Sequence, residues 1–341
     1  MEILNFANFE NNLSKDHSVQ LNYLEHYTSP LLRSYSQFRQ FSVMDETKII
    51  QFIKLCIPPL DGTHHKGQSG RIGVVGGSLE YTGAPYFAGI SALKVGADLV
   101  HIFCTTPAAS VIKSYSPELI VHPLLDATNP INEISPWLER LHVIVIGPGL
   151  GRDAKTFQVV SELIKLINYK KIPLVIDADG LYLITENPKL LEDFTSPIIL
   201  TPNKIEFERL INKLNGESGL TTLGKSVTIL RKGEADELFS YDSQLKWKNK
   251  TGGSGRRCGG QGDLLSGSIA TFLHWSLVSS EKLNIGIQVD KALFASSLSC
   301  FAASRLIRTC NSKAFCEKGR SMLATDMIEH IHDAFQELYE E

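Results

Sequence analysis

The sequence GGSGRRCGGQGDLLSG, residues 252–267, decides the fold predicted here. Six of its glycines precede Asp263, and an apolar run that starts with Leu264 and Leu265 follows. A glycine-rich turn that opens a helix directs unpaired backbone N–H groups and the positive end of the helix dipole at one point. That point suits an anion such as a phosphate.

Asp263 has two interpretations. Its charge opposes an anion, so a carboxylate here makes chemical sense if it takes a proton from an attacking hydroxyl or helps to hold a metal ion. In the alternative, the segment is a solvated loop and Asp263 is the N-cap of an ordinary helix. GxGD alone is weak evidence. The additional glycines and the adjacent Arg256 and Arg257 favour the functional interpretation.

Composition limits the class of protein. The chain has 341 residues, of which 43% are hydrophobic and 21% charged, enough for one large α/β domain or two small ones. A net charge of -3 predicts neither a nucleic-acid nor a membrane-surface partner. The six cysteines form no CxxC pair, so neither a zinc site nor a disulfide framework is indicated. A reduced, cytoplasmic location fits best.

The first 43 residues differ from the rest. They are polar and rich in asparagine, and they lack the apolar core of a secretory signal. Residues 31–43 carry two arginines and no acid, which is typical of the end of a mitochondrial presequence, although acids upstream argue against one. We predict a poorly ordered extension, 1–43, before a single domain, 44–341, and leave mitochondrial import open.

Apolar runs that alternate with helical periodicity predict a parallel sheet built from βαβ units. A hairpin of two short polar strands, 238–241 and 245–247, is expected at the sheet edge. The last helix is predicted to be capped by Thr325 or Asp326. The predicted parallel strands are 71–77, 99–104, 141–146, 173–176, 196–200 and 227–231, and the predicted helices before the last are 49–57, 84–95, 154–168, 205–214, 263–275 and 289–310.

Polar and glycine-rich turns follow several of these strands, at the edge where open α/β sheets bind ligands. Asp177 and Asp179 could hold magnesium through water, or they could form a turn and a helix N-cap. Asn203 and Glu206 are better explained as the cap and first turn of a helix. Gly73, Gly76 and Gly77 do not have GxGxxG spacing, which argues against a dinucleotide fold.

Six segments of the chain resemble the eukaryotic ATP-dependent NAD(P)H-hydrate dehydratases, a family of the ribokinase-like superfamily. The resemblance implies a three-layer α/β/α sandwich with a mostly parallel central sheet. The segments are HKGQSGRIGVVGGSLEYTGAPYFAGISALKVGADLVHIF (65–103), GPGLGRD (147–153), VIDADGL (175–181), LTPNKIEF (200–207), KGEAD (232–236) and GRRCGGQGDLLSGSIA (255–270).

The resemblance implies repair of a damaged nicotinamide cofactor. ATP would phosphorylate the hydroxyl of hydrated NADH or NADPH in the 6S form, and loss of phosphate would return the reduced cofactor, which makes the enzyme a lyase. It also implies Mg²⁺, whose ligands stay unassigned, and a separate NAD(P)H-hydrate epimerase as functional partner. The oligomeric state, a homo-oligomer included, is left open.

Site residues follow from the same motifs. The resemblance makes Asp263 the base that takes the hydroxyl proton. The hydrate would contact Asp263 together with Gly149, Asn203, Lys204, Ile205, Glu206, Phe207, Glu208 and Arg209. ATP would contact Lys232, Gly233, Glu234, Ala235, Asp236, Ser254, Gly255, Arg256, Arg257, Cys258, Gly259, Gly260, Gln261 and Gly262.

The chain departs from the family pattern at residues 212–225, a segment shorter than the family usually has, and a helix that the family has in the nucleotide-side wall is therefore expected to be missing here. Two other functions stay as alternatives. A ribokinase-fold kinase for a vitamin precursor would share GxGD and ATP but leave a stable phosphate ester. A nucleotide sensor without turnover would have no use for Asp263 as a base.

Overall fold

The structure, a computed structural model, describes residues 45–63, 65–280 and 289–340. The predicted extension 1–43 lies outside the described residues, so that division of the chain stays a prediction. Within the described part, nine strands form one sheet in the order β3-β2-β1-β4-β5-β6-β7-β8-β9. They are β1 Arg71–Val75, β2 Leu99–Cys104, β3 Leu119–Pro123, β4 Val143–Ile146, β5 Leu174–Ile176, β6 Ile198–Leu200, β7 Val227–Arg231, β8 Asp236–Ser240 and β9 Lys248–Asn249.

The prediction of a parallel sheet is confirmed. β1 to β7 pair in parallel, and only β8 and β9 are antiparallel to their neighbours. The helices are α1 Glu46–Cys56, α2 Gly83–Val95, α3 Thr106–Tyr115, α4 Pro130–Leu138, α5 Ala154–Tyr169, α6 Ala178–Glu186, α7 Lys204–Lys213, α8 Gln261–Ser280, α9 Lys291–Lys318, α10 Ala324–Glu329 and α11 Ile331–Phe335.

Two hydrophobic cores lie on the two faces of the sheet because successive side chains of a strand point in opposite directions. In β4, Val143 and Val145 join the core under α1, α2, α3, α8 and α9. Ile144 and Ile146 join the second core, under α4 to α7. Both faces are therefore covered by helices, which explains the fully apolar strands and confirms the α/β class.

Three local predictions differ from the structure. The second strand of the edge hairpin is β9, Lys248–Asn249, because residues 243–245 form a 3₁₀ turn. The segment predicted as the last helix forms two short helices, α10 and α11, and Asp326 accepts the N–H of Leu323 from within the first turn of α10 instead of capping it. The segment that was expected to be a plain loop, 215–223, contains a 3₁₀ helix, Glu217–Leu223.

Two further observations concern the chemistry of the chain. All six cysteines are free thiols in the structure. Within the ranges that the structure describes, every helix is too short or too polar to span a membrane.

The helix that follows the glycine-rich loop packs very closely on α2. A Cβ atom added at Gly267 of α8 would overlap the carbonyl oxygen of Ala88. One turn further, the Thr271 hydroxyl donates to the carbonyl of Ala92 at 3.1 Å. The small residues of α2 therefore let its backbone lie directly against α8, and this contact fixes where the start of α8 lies.

Replacing Gly267 by alanine is expected to destabilise the protein. The new methyl group meets backbone, which cannot move aside as a side chain can, so the free energy of unfolding should fall by about 2–3 kcal/mol. Denaturant unfolding followed by circular dichroism measures the change. Gly83→Ala in the first turn of α2, where a Cβ atom would meet only Phe87 at 3.7 Å, is the control and should change stability by less than about 1 kcal/mol. Equal stability of the two variants would contradict the close contact.

Candidate active site

The carboxyl ends of the parallel strands carry the residues that the sequence singled out. The loop after β1 and the loop after β4 touch there, since the N–H of Gly77 donates to the carbonyl of Gly149 at 3.1 Å. Gly149 has φ +61°, and a Cβ atom on it would lie 2.7 Å from the Tyr81 carbonyl oxygen. Only glycine fits this crossing without strain.

Asp177, at the end of β5, is the most enclosed carboxylate of this edge, with 1% of its surface exposed. Its Oδ1 accepts from Lys232 Nζ at 2.7 Å and from the hydroxyl of Thr201 at 2.8 Å. Thr201 follows β6 and Lys232 follows β7. One carboxylate thus ties together the ends of three neighbouring strands, and its side chain makes no N-cap hydrogen bond to α6.

Asp179 points elsewhere. Its carboxylate accepts from the N–H of Gly151 at 3.1 Å and from Arg152 Nε at 3.0 Å. Between the two acids, Ala178 has φ +46°, a left-handed conformation that costs a non-glycine residue about 1–2 kcal/mol. Such strain persists only where the surroundings impose it, and it is common at functional sites. Asp177 and Asp179 therefore do not act as a pair.

Asp263 lies in the first turn of α8, which begins at Gln261, so its interpretation as the N-cap is wrong. Gly262, the residue before Asp263, shows how close the first turn of α8 comes to the Lys232–Asp177 ion pair. A Cβ atom on Gly262 would lie 3.1 Å from Lys232 Nζ and 3.7 Å from Asp177 Oδ2. The start of α8 therefore sits directly over the Lys232–Asp177 pair.

The surroundings of Asp263 change its affinity for a proton. Burial, and then the negative charge of Asp177, raise the pKa of Asp263 to about 8, while Lys232 opposes the rise. Burial lowers the pKa of Lys232, but Asp177, Glu206 and Asp263 more than offset it and the net pKa is raised. Lys232 is thus a stable cation, and Asp263 binds a proton more readily than an ordinary aspartate does.

Asn203 and Glu206 form the expected cap of α7. Asn203 Oδ1 accepts the N–H of Glu206 at 3.0 Å, and Glu206 Oε2 accepts the N–H of Asn203 at 2.8 Å. Burial raises the pKa of Glu206, with Lys232 acting against it. Glu206 therefore serves both as a cap and as part of the charged cluster around Lys232.

The other side chains of α7 differ in their exposure to solvent. Phe207 is buried in the core against Phe239, with ring centroids 5.0 Å apart. The exposed side chains, which remain accessible to a ligand, are Lys204, Ile205, Glu208 and Arg209.

The loop before α8 is held by its own hydrogen bonds. Arg256 Nε donates to the Met322 carbonyl at 3.2 Å, and Gln261 Nε2 donates to the Arg256 carbonyl at 3.2 Å. Arg257 donates to the Ser254 carbonyl at 3.3 Å. Open space surrounds two of its glycines, Gly255 and Gly259, since a Cβ atom on either would meet nothing within 4 Å. The loop is ordered yet leaves room for a ligand against its backbone.

The loop after β7 brings Lys232 to the site and turns back into β8. The carboxylate of Asp236 accepts the N–H of Gly233 at 3.1 Å and is buried, so it shapes the turn from below. Gly233 and Glu234 are exposed. Sequence reasoning missed Thr201, although its position immediately after β6, beside the end of β5, is a signal that could have found it.

The sequence matches, over residues 72–333, the family described as NAD(P)H-hydrate dehydratase. It is 53% identical over 306 residues to a protein of Aedes aegypti named ATP-dependent (S)-NAD(P)H-hydrate dehydratase, with 89% of each chain covered. A Homo sapiens protein of the same name is 45% identical over 321 residues, which cover 91% of this chain and 90% of that protein.

Solved structures show the same fold. A ribokinase-like superfamily protein of Enterococcus faecalis aligns with a TM-score of 0.66 at 21% identity and covers 86% of this chain and 95% of its own. An ADP/ATP-dependent NAD(P)H-hydrate dehydratase of Bacillus subtilis, co-crystallised with ATP/Mg²⁺, aligns with a TM-score of 0.62 at 21% identity over 85% of this chain and 97% of its own. The ribokinase-like fold that the sequence predicts is confirmed.

Removing the charge of Asp177 should lower the pKa of Asp263. The Asp177→Asn variant keeps an acceptor for Thr201 but no longer repels the ionised Asp263, and Lys232 is then free to pair with it. A pH titration of the labelled aspartate carboxyl carbons by NMR measures the pKa. Asp179→Asn is the matched control and should leave it unchanged, because Asp179 pairs with Arg152 instead. An unchanged or higher pKa in Asp177→Asn would contradict the coupling.

Proposed function

This chain belongs to the NAD(P)H-hydrate dehydratase family, and from that premise we propose that the site around Asp263 is where it converts (6S)-NADHX and NADPHX to NADH and NADPH. The chain is an ATP-dependent dehydratase, with ATP as its co-substrate. One observation carries the assignment of the site. Asp263, an acid with a raised pKa, lies in the first turn of the helix that follows the glycine-rich loop, directly beside Lys232.

In the first step Asp263 takes the proton of the hydroxyl that hydration added to the nicotinamide ring. The hydroxyl oxygen attacks the γ-phosphorus of ATP, and the bond to the bridging oxygen of ADP breaks. The positive charge of Lys232 and the backbone N–H groups at the start of α8 would stabilise the charge that develops on the transferred phosphoryl group. A raised pKa suits the base, because it then accepts the proton near neutral pH.

In the second step the new phosphate ester breaks down. The lone pair of the ring nitrogen expels phosphate, which leaves with the electrons of the carbon–oxygen bond. Loss of a proton from the neighbouring ring carbon then restores the double bond of the reduced nicotinamide. One ATP is consumed for each water removed, and the products are the reduced cofactor, ADP and phosphate. A kinase for a vitamin precursor would stop at the ester, and the family membership does not favour it.

We propose that the two substrates lie on opposite sides of Asp263. The hydrate side is supported by the exposed side chains of α7, and the buried Gly149 would shape this side through the crossing of the loops after β1 and β4. The ATP side, formed by residues 232–236 and 254–262, is supported by the exposed Gly233 and Glu234 and by the open space at Gly255 and Gly259. Phe207 and Asp236, which are buried, would shape the two sides without presenting their side chains to ligand.

Magnesium fits this cluster as an ion that arrives with ATP. Within the described residues, no group of three His, Cys, Asp or Glu is placed to hold a metal ion. Mg²⁺ in phosphoryl transfer needs only one or two carboxylates besides the phosphate oxygens. Glu206 would supply one, because its carboxylate belongs to the charged cluster around Lys232 and Asp177. When bound, the ion would neutralise phosphate charge in the transfer.

Two wider proposals follow from the sequence. An NAD(P)H-hydrate epimerase on a separate chain would supply the 6S form from the 6R form. The six free thiols support a cytoplasmic location, with mitochondrial import as the alternative.

The decisive assay uses the purified full chain with hydrated NADPH and Mg-ATP and follows the absorbance of the reduced nicotinamide as it returns. We expect absorbance and free phosphate to rise together. A metal chelator should abolish both and excess Mg²⁺ should restore them, because the ion accompanies ATP. The chelator should leave the melting temperature unchanged. A stable phosphate ester without recovery of absorbance would instead identify a kinase.

Asp263→Asn should bind ATP normally but turn over about 100-fold more slowly or worse, because asparagine cannot take the hydroxyl proton. Calorimetry measures ATP binding, and the absorbance assay measures kcat. Asp242→Asn, whose side chain caps the turn Ser243–Leu245 at the sheet edge, is the control and should keep full activity. Near-normal turnover of the Asp263→Asn variant would contradict the assignment of Asp263 as the base.

A further inference from the structure

The proposed function assigns ATP to the loop 232–236 and the loop 254–262. Two residues of α9, Ser304 and Arg308, bind the first of these loops and residues 249–253, the segment that leads directly into the second. They are four residues apart and therefore lie on one face of the helix. With Asp236 and Asn249 they form a group that we call the α9 clamp. We propose that Arg308 is a positioning residue for ATP: it sets the spacing of the two loops without contacting the reacting atoms. This inference rests on the proposed function, which places ATP between the loops.

The guanidinium group of Arg308 binds backbone carbonyls of both loops. Guanidinium has five N–H donors in a fixed plane and no acceptor, so it suits a cluster of carbonyl oxygens. Only 13% of the side chain is exposed. Nε donates to the carbonyl of Thr251 at 3.0 Å, and Nη1 donates to that of Gly233 at 3.4 Å. The two N–H groups of Nη2 are shared among the carbonyls of Glu234 at 2.8 Å, Gly252 at 3.0 Å and Lys250 at 3.1 Å.

The backbone of Arg308 makes a further contact. Its carbonyl accepts the N–H of Gly253 at 2.7 Å. Gly252 has φ +75°, and a Cβ atom on it would lie 3.0 Å from that carbonyl group. The glycine-rich loop therefore begins by passing directly over the backbone of α9, and a larger residue would lift it away.

Beneath Arg308, the other members of the clamp join the same loops through buried hydrogen bonds. The Ser304 hydroxyl donates to Asp236 Oδ2 at 2.7 Å and accepts from Asn249 Nδ2 at 2.9 Å. Asp236 in turn lies 3.7 Å from the Arg308 guanidinium. Ser304, Asn249 and Asp236 are 0%, 2% and 6% exposed. Buried and satisfied polar networks of this kind hold backbone rigidly.

The clamp has an electrostatic consequence for an anion. Carbonyl oxygens carry partial negative charge and would repel a triphosphate. By binding five of them, Arg308 turns them toward a positive group. In a trans peptide the N–H points away from the preceding C=O, so the N–H groups of Glu234, Ala235 and Gly252 point away from Arg308. The clamp thus holds these five carbonyls toward Arg308 and leaves three N–H groups directed away from it, while the N–H groups of Thr251 and Gly253 bind Asn249 Oδ1 and the Arg308 carbonyl.

Lysine cannot replace arginine in this position. Its ammonium is a single point charge and cannot reach carbonyls spread over two loops, although it keeps the positive charge and most of the length. Arg308→Lys therefore removes the bridging and retains the charge. Arg308→Ala removes both, and the space that it leaves matches a free guanidinium ion.

The test is steady-state kinetics of the full chain with ATP and hydrated NADPH varied separately. For Arg308→Lys we expect the KM for ATP to rise about tenfold or more, with kcat at saturating ATP and the KM for the hydrate within about threefold of the wild type. For Arg308→Ala we expect the same split, and guanidinium chloride at about 10 mM, far below denaturing concentrations, should restore much of the ATP affinity.

Arg140→Lys and Arg140→Ala are the controls, because Arg140 is exposed beside Trp137 and should show neither effect. Should Arg308→Ala fail to fold, Arg308→Lys decides the question. An unchanged KM for ATP in Arg308→Lys overturns the inference, as does an equal loss in kcat and both KM values that guanidinium does not reverse. A wild-type protein that recovers the cofactor without ATP would overturn the proposed function itself. If the wild type instead requires ATP and saturates with it, the proposed function stands, and the Arg308 variants test the positioning role alone.

Discussion

The ion pair between Lys232 and Asp177 is the interaction on which the site depends. It joins the end of β7 to the end of β5 at 2.7 Å, and Thr201, which directly follows the strand between them, binds the same oxygen. Removing one partner of a buried pair leaves an uncompensated charge, which costs far more than the pair contributes as a whole. The spacing of three strand ends and the position of the ammonium group are therefore set together, and α8 starts directly above them.

Opposing influences determine the pKa of Asp263. The positive end of α8 and the ammonium of Lys232 favour its ionised form, whereas burial and the charge of Asp177 oppose it. Because burial prevails, its pKa is raised to about 8 and the carboxylate becomes a stronger base than an aspartate in water. The same neighbours keep Lys232 charged, so a proton acceptor and a fixed cation stand side by side.

Close backbone packing supports this arrangement from two sides. On one side, α8 lies so near α2 that Gly267 has no room for a side chain. On the other, α9 binds the two loops that flank the start of α8 through Ser304 and Arg308. The loops have no regular secondary structure, yet their backbone groups form hydrogen bonds to helix α9. A site for a charged ligand needs this, since its affinity depends on N–H groups that are oriented before the ligand binds.

Local signals in the sequence were enough for the fold and for much of the site. The apolar strands, the glycine-rich loops after them and the cap formed by Asn203 and Glu206 depend on residues close together in the chain. The place of β9 and the start of the last helix were predicted wrongly, because short polar segments take their structure from what they pack against. The role of Asp177 required tertiary structure, since Lys232 is 55 residues away and Thr201 is 24. A sequence determines which groups can titrate, but the pKa of Asp263 depends on burial and on a charge that only the folded sheet brings beside it.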